Sequence, residues 1–82
     1  MHLPRVHFAF IDGQHDEAHV REEFKWVAER QRRGDAVVFD DYNVESFPGV
    51  VRAVDAGLLR FGYDSEIVDI GLSRCLVHAV RR

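Results

Sequence analysis

Two short apolar runs, each closed by acidic residues, constrain this chain more than any other feature. The first run ends at 11–13 (Ile-Asp-Gly) and the second at 39–41 (Phe-Asp-Asp), with one helix-length segment between them. Short apolar runs followed by turn signals are typical of buried strands, and two strands joined by a helix are parallel neighbours. Such strands lie about 4.8 Å apart, and α/β sheets bind ligands beyond the carboxyl ends of their strands. We therefore expect Asp12, Asp40 and Asp41 to meet at one rim, as a site for a hard cation.

The remaining segments predict two helices and a final pair of strands. Apolar residues recur at helical spacing after Asp16, with acidic residues early and arginines late, and Gly34 is the predicted stop. Ser46 followed by Pro48 is a second helix-start signal. The predicted strands are 5–11, 36–39, 65–70 and 74–80, and the predicted helices are 16–32 and 47–60. This β-α-β-α-β-β order predicts an α/β fold with right-handed crossovers, parallel first strands and an antiparallel last pair.

Composition excludes several classes of protein. At 82 residues the chain is at most one domain with a small core. Its net charge of −3, with both signs interspersed, argues against a nucleic-acid-binding protein. The single cysteine, Cys75, excludes an internal disulfide and fits a reducing compartment, and no apolar stretch has the length of a membrane span or the pattern of a signal peptide. We therefore expect a cytoplasmic protein that binds neither nucleic acid nor membrane.

The acidic residues also have a plain structural interpretation. Asp12 is a suitable turn residue before a glycine. Asp40 and Asp41 can simply end a strand, although two adjacent acids after a buried run repel each other unless a cation or a donor lies near. His15 can be no more than a residue at the start of a helix. These alternatives stay open on the residues alone.

Other positions test the predicted packing. His7 and His78 lie within apolar runs and are expected to be packed or hydrogen-bonded residues of the core. Trp26 lies off the apolar stripe of its helix and is expected either to be partly exposed or to cover a neighbouring element. If both helices cover one face of the sheet, Phe8 and Val38 are exposed on the other.

Three motifs in register carry a resemblance to a known family. They are 10–15 (FIDGQH), 37–42 (VVFDDY) and 48–54 (PGVVRAV), each at an element end or a helix start. Together they resemble the C-terminal half of a class I S-adenosylmethionine-dependent methyltransferase, more narrowly the macrocin O-methyltransferase and related small-molecule methyltransferase families. The resemblance covers about residues 6–80. It implies that residues 1–82 are the C-terminal part of such a domain, with a partial Rossmann-like sheet whose last strand lies antiparallel between the two before it.

The resemblance also implies roles for particular residues. The family's metal ligands fall on Asp12, Asp40 and Asp41, and an oxygen-only set suits Mg²⁺ or a similar divalent cation. His15 or Asp12 would be the general base. Tyr42 and Asn43 lie where substrate contacts would fall. The acceptor would be a hydroxyl of a small molecule or a sugar, and S-adenosylmethionine would be the methyl donor.

In the resembling family, the glycine-rich cofactor loop and the acidic ribose contact belong to an N-terminal half that this sequence lacks. We therefore expect the isolated chain to be inactive and to bind S-adenosylmethionine no better than background. An exposed edge on the strand at 5–11 predicts self-association, or pairing with a separate N-terminal half. Three alternatives remain: a diverged relative of the cephalosporin hydroxylase type, a non-catalytic self-associating module, and a translated fragment without a function of its own.

Overall fold

Four strands and two helices make up the computed structural model of the chain, which describes residues 4–12, 16–72 and 74–82. The elements are β1 (Phe8–Ile11), α1 (Glu17–Ala28), β2 (Ala36–Phe39), α2 (Pro48–Phe61), β3 (Tyr63–Asp69) and β4 (Cys75–Arg81). The predicted α/β order is confirmed.

The strands form one mixed sheet with the order β1-β2-β4-β3. β1 pairs parallel with β2, and the register places Ile11 beside Phe39. β4 is antiparallel to both of its neighbours, β2 and β3. The predicted insertion of the last strand between the second and the third is therefore confirmed.

Helix α1 begins as its sequence predicts but ends earlier. The side chain of Asp16 accepts a hydrogen bond from the Ala18 N–H at 3.0 Å, which caps the first turn. The helix stops at Ala28 rather than at residue 32. The cause is Gln31, whose amide donates to the Ala36 carbonyl at 2.7 Å and accepts from the Tyr63 hydroxyl at 2.5 Å. These bonds tie the segment after α1 to the sheet.

Helix α2 has the proline start and glycine stop that the sequence predicts, but a different cap. Its N-cap is Phe47, without a side-chain cap bond, so the helix begins within one residue of the predicted start but Ser46 does not cap it. Pro48 occupies the first turn, where its missing N–H costs nothing. Gly62 ends the helix in the left-handed region, at φ 78°. Neither described helix is long and apolar enough to span a membrane.

The core lies between the two helices and one face of the sheet, with Phe24 at its centre. The Phe24 ring packs edge-on against Phe39 and Phe61, at centroid distances of 4.7 and 5.5 Å, and lies 5.2 Å from the Tyr63 ring. On α2 the position facing it is Gly57, where a Cβ atom would lie 2.3 Å from the Phe24 Cδ2. Only a glycine there lets the helices approach this closely.

Within the part of the chain that the structure describes, no helix covers the other face of the sheet, as predicted. This open face consists of the alternate strand residues that point away from α1 and α2: Phe8, Phe10, Ala36, Val38, Asp64, Glu66, Val68, Leu76, His78 and Val80. Phe8 and Phe10, on the edge strand, are 60% and 50% exposed. Val38 is half-buried by its strand neighbours.

The two strand histidines were wrongly assigned to the core. His7 precedes β1 and is exposed. His78 lies on the open face, where its Nδ1 is 3.4 Å from a Glu66 carboxylate oxygen. Trp26 is 50% exposed, as predicted, and the Arg30 guanidinium stacks 3.8 Å above its ring.

The ion pair between Arg5 and Asp35 predicts a pH dependence of stability. Two hydrogen bonds from the Arg5 guanidinium, at 2.8 and 2.9 Å, and then one from the Arg32 N–H lower the pKa of Asp35 to about 2. Because this folded-state pKa lies below that of an unfolded aspartate, about 3.9, the stabilisation is complete above about pH 4 and is lost as the pH falls towards 2.

In acid titrations followed by circular dichroism, the wild type should lose stability between about pH 4 and pH 2 as Asp35 is protonated, and Asp35→Asn should not show this loss. The variant should instead be less stable than the wild type at pH 7. Asp64→Asn, which changes an exposed aspartate on β3, is the control and should keep the loss of stability that protonation of Asp35 causes. Identical acid profiles for the wild type and Asp35→Asn would contradict the assignment.

Candidate functional site

The carboxylates of Asp12, Asp40 and Asp41 meet at one end of the sheet, and we call these three residues the acidic rim. Asp12 directly follows β1, and the other two follow β2, its parallel neighbour. The Asp40 N–H donates to the Ile11 carbonyl at 3.1 Å, which extends the strand pairing to the rim. Each residue offers one oxygen, and the three oxygens lie within 4.8 Å of one another. The predicted convergence of the carboxylates is confirmed.

The three rim residues differ in burial and backbone geometry. Asp40 is buried, Asp41 is half-buried and Asp12 is exposed. Asp41 has a φ of 58°, a left-handed conformation that costs most L-residues about 1–2 kcal/mol and that aspartate tolerates better than most. The Asp41 N–H donates to the Asp40 Oδ1 at 2.8 Å. Backbone conformations of this kind are concentrated at functional sites.

Arg74 is a member of this site that the sequence analysis missed. It directly precedes β4. Its guanidinium donates two hydrogen bonds to the Asp40 carboxylate, from Nη2 to Oδ2 at 2.6 Å and from Nε to Oδ1 at 3.2 Å. The predicted topology could have indicated Arg74, because the first residues of a strand antiparallel to β2 lie beside the end of β2, at the acidic rim. Arg74 therefore supplies a positive charge inside an otherwise acidic site.

Tyr42 and Asn43, the predicted substrate contacts, hold their own loop in place. The Tyr42 hydroxyl donates to Asp55 of α2 at 2.7 Å. Burial, followed by this hydrogen bond, raises the pKa of Tyr42 to about 12, so the hydroxyl stays protonated at neutral pH. The Asn43 Oδ1 accepts from the N–H groups of Glu45 and Ser46, at 2.9 and 3.1 Å. Contact of either residue with a substrate stays a prediction.

A shallow, largely apolar groove of about 490 Å³ lies beside the acidic rim. Its walls are the loop after β2, one residue of α2 and the ends of β3 and β4: Tyr42, Asn43, Val44, Glu45, Val51, Ile67 and Cys75. Pockets for small molecules commonly have about 300–1,000 Å³ and a mostly apolar lining. The groove is large enough for part of a small molecule next to the carboxylates.

The acidic rim fits a hard divalent cation by donor type and spacing. Mg²⁺ and Ca²⁺ take oxygen ligands at about 2.0–2.6 Å, so oxygens on opposite sides of one ion lie about 4–5 Å apart. The rim oxygens fall within that spread. The other predicted catalytic residue, His15, lies outside the described residues, as do Gly13 and Gln14.

The sequence matches no family model and no curated protein. Among solved structures, the chain resembles a methyltransferase from Pyrococcus furiosus, with a TM-score of 0.57 and 10% sequence identity. The chain has a methyltransferase-like fold. The match covers 79% of this chain but only 32% of the Pyrococcus protein, so the chain spans about a third of that protein's length. At this identity the likeness shows the fold, and the narrower macrocin-type resemblance stays a prediction.

Proposed function

We propose that this chain is part of a metal-assisted, S-adenosylmethionine-dependent O-methyltransferase that acts on a hydroxyl of a small molecule or a sugar. The main support for this proposal is the position of the acidic rim, which lies at the carboxyl ends of two parallel strands in a methyltransferase-like fold. Ligands of α/β sheets bind at this end of the strands. The chain would contribute the parts that bind the cation and the acceptor.

The chemistry follows from the residues at the rim. The carboxylates of the acidic rim would hold Mg²⁺ or a similar divalent cation. Such a cation, when bound, lowers the pKa of a coordinated hydroxyl. Asp12, the most exposed of the three, would accept the acceptor's proton, and His15 is the other candidate base. The loop held by Tyr42 and Asp55 would form one wall of the acceptor site.

The methyl donor would be held mostly by residues outside this sequence. The 82 residues contain no glycine-rich phosphate or nucleotide loop. The Pyrococcus methyltransferase is about three times as long as the matched segment, which supports a cofactor site in a further part of the protein. Methyl transfer would then require that part to be joined to this chain or to pair with it.

A second candidate is a non-catalytic, self-associating module. The observation that favours it is the open face, where Phe8 and Phe10 lie exposed on the edge strand β1. This alternative needs no cation at the acidic rim. Cation binding therefore separates the two proposals.

Titration with MgCl₂, followed by NMR of the backbone amides, tests the proposal. We expect the amide signals of residues 10–12 and 40–42 to shift with a saturable dependence on Mg²⁺. Removing one carboxylate charge, by Asp12→Asn, should weaken the binding about tenfold or more, because affinity follows the number of charged ligands. Asp64→Asn removes the same charge from an exposed position on the sheet and should leave the affinity unchanged.

Two outcomes would count against the cation site. One is a spectrum in which the rim signals do not respond to Mg²⁺. The other is a double variant, Asp40→Asn with Asp41→Asn, that folds and binds Mg²⁺ as tightly as the wild type.

A further inference from the structure

The Arg74 guanidinium engages both carboxylate oxygens of Asp40. Its Nη2 donates to Oδ2 and its Nε to Oδ1, and Oδ1 also accepts the Asp41 N–H. A divalent cation bound by Asp40 needs at least one of these oxygens as a ligand. The guanidinium and a cation at this carboxylate would place two positive charges in close proximity, so each disfavours the binding of the other.

Arg74 also responds to the charge of the whole acidic rim. Its pKa is raised, first by the hydrogen bond to Asp40 and then by the negative charges of Asp40, Asp41 and Asp12. The Arg74 guanidinium thus supplies positive charge to converging carboxylates that repel one another. A divalent cation would serve the same purpose with twice the charge.

The two partners of this ion pair differ in their freedom to move. The Asp40 side chain is 4% exposed, whereas that of Arg74 is 55% exposed. The Arg74 backbone is fixed in the β3–β4 hairpin, because its N–H donates to the Gly71 carbonyl and its carbonyl accepts from Ile70, both at 3.0 Å. Rotation of the exposed side chain into solvent would leave the hairpin and the core intact.

We propose that Arg74 is an internal cation that occupies Asp40 while the acidic rim is empty and turns outward when a divalent cation binds. This inference rests on the proposed function, since it assumes that the acidic rim takes a cation. The arginine would keep the empty rim folded and would lower its affinity for the metal. It would thereby set the concentration of free cation at which the site fills.

Isothermal titration with MnCl₂ on the wild type and on Arg74→Gln tests the competition. We expect Arg74→Gln to bind Mn²⁺ about tenfold more tightly, since the guanidinium no longer holds both oxygens of Asp40. Arg74→Lys, whose ammonium cannot reproduce the two-pronged contact, should lie between the two. Arg82→Gln, which removes an arginine close to Asp64 on the same sheet, is the matched control and should bind like the wild type.

A second measurement needs no variant. The Nε–H NMR signal of Arg74 in the wild type should move towards that of a solvated guanidinium as MgCl₂ is added. Equal Mn²⁺ affinity of the wild type and Arg74→Gln, weaker binding by the variant, or an unmoved Nε–H signal in a saturated sample would overturn the inference. Absence of binding by every variant would instead reject the proposed function and this inference with it.

Discussion

Replacing Phe24 with alanine is expected to lower the free energy of unfolding by about 3–5 kcal/mol, the usual range for a fully buried phenylalanine. Phe24 is 1% exposed and its ring meets three other aromatic rings at the centre of the core. Small domains have stabilities of about 5–15 kcal/mol, so a loss of this size is a large fraction of the total. Urea denaturation followed by circular dichroism measures the loss.

Trp26→Ala is the control, because it truncates an aromatic residue on the same helix. Trp26 is 50% exposed and stacks with Arg30, so we expect a loss of about 1 kcal/mol or less. Equal losses from the two variants would contradict the placement of the core between the helices and the sheet.

The second large effect concerns the open face. We expect the isolated chain to self-associate, and Phe10→Glu to make it monomeric. Phe10 lies beside Phe8 on the edge strand β1, and apolar side chains next to a strand edge recruit other chains. A charge in the middle of this surface should raise the dissociation constant about tenfold or more in sedimentation equilibrium.

Leu59→Glu is the control, because it replaces an exposed apolar residue with the same charge at a position away from the open face. Leu59 is 83% exposed on α2, on the opposite side of the sheet, and its replacement should leave the self-association unchanged. A wild-type chain that stays monomeric at high concentration would contradict the prediction. So would a Leu59→Glu variant that dissociates as readily as Phe10→Glu.

The topology of the sheet could be predicted because general rules leave few choices. A right-handed crossover fixes β1 and β2 as parallel neighbours, and the predicted antiparallel last strand lies where the family resemblance implies. The strand at 36–39 has the predicted bounds, since its apolar run stops abruptly at Asp40. Gly62 marks the end of α2 because the chain there needs a left-handed residue.

Element ends that depend on distant contacts could not be predicted. The apolar and basic pattern continues past Ala28, but Gln31 is drawn to Ala36 and Tyr63, which no local pattern shows. The strand predicted at 5–11 covers only Phe8–Ile11. This difference explains the wrong assignment of His7 to the core.

The position of the candidate site could be predicted from the sequence, but the ion pair between Asp40 and Arg74 could not. The carboxyl ends of adjacent parallel strands must meet, so the convergence of the acidic rim follows from the strand order. The pairing of Asp40 with Arg74 joins residues 34 positions apart. The sequence therefore predicts three converging acids, whereas in the fold an arginine also lies at the acidic rim.

Anomalous scattering from crystals grown with MnCl₂ tests the proposed cation site most directly. We expect one peak between Asp12, Asp40 and Asp41, about 2.0–2.6 Å from carboxylate oxygens, with the Arg74 side chain turned away from Asp40. Crystals without a peak at the acidic rim, in which Arg74 still holds both oxygens of Asp40, would contradict it.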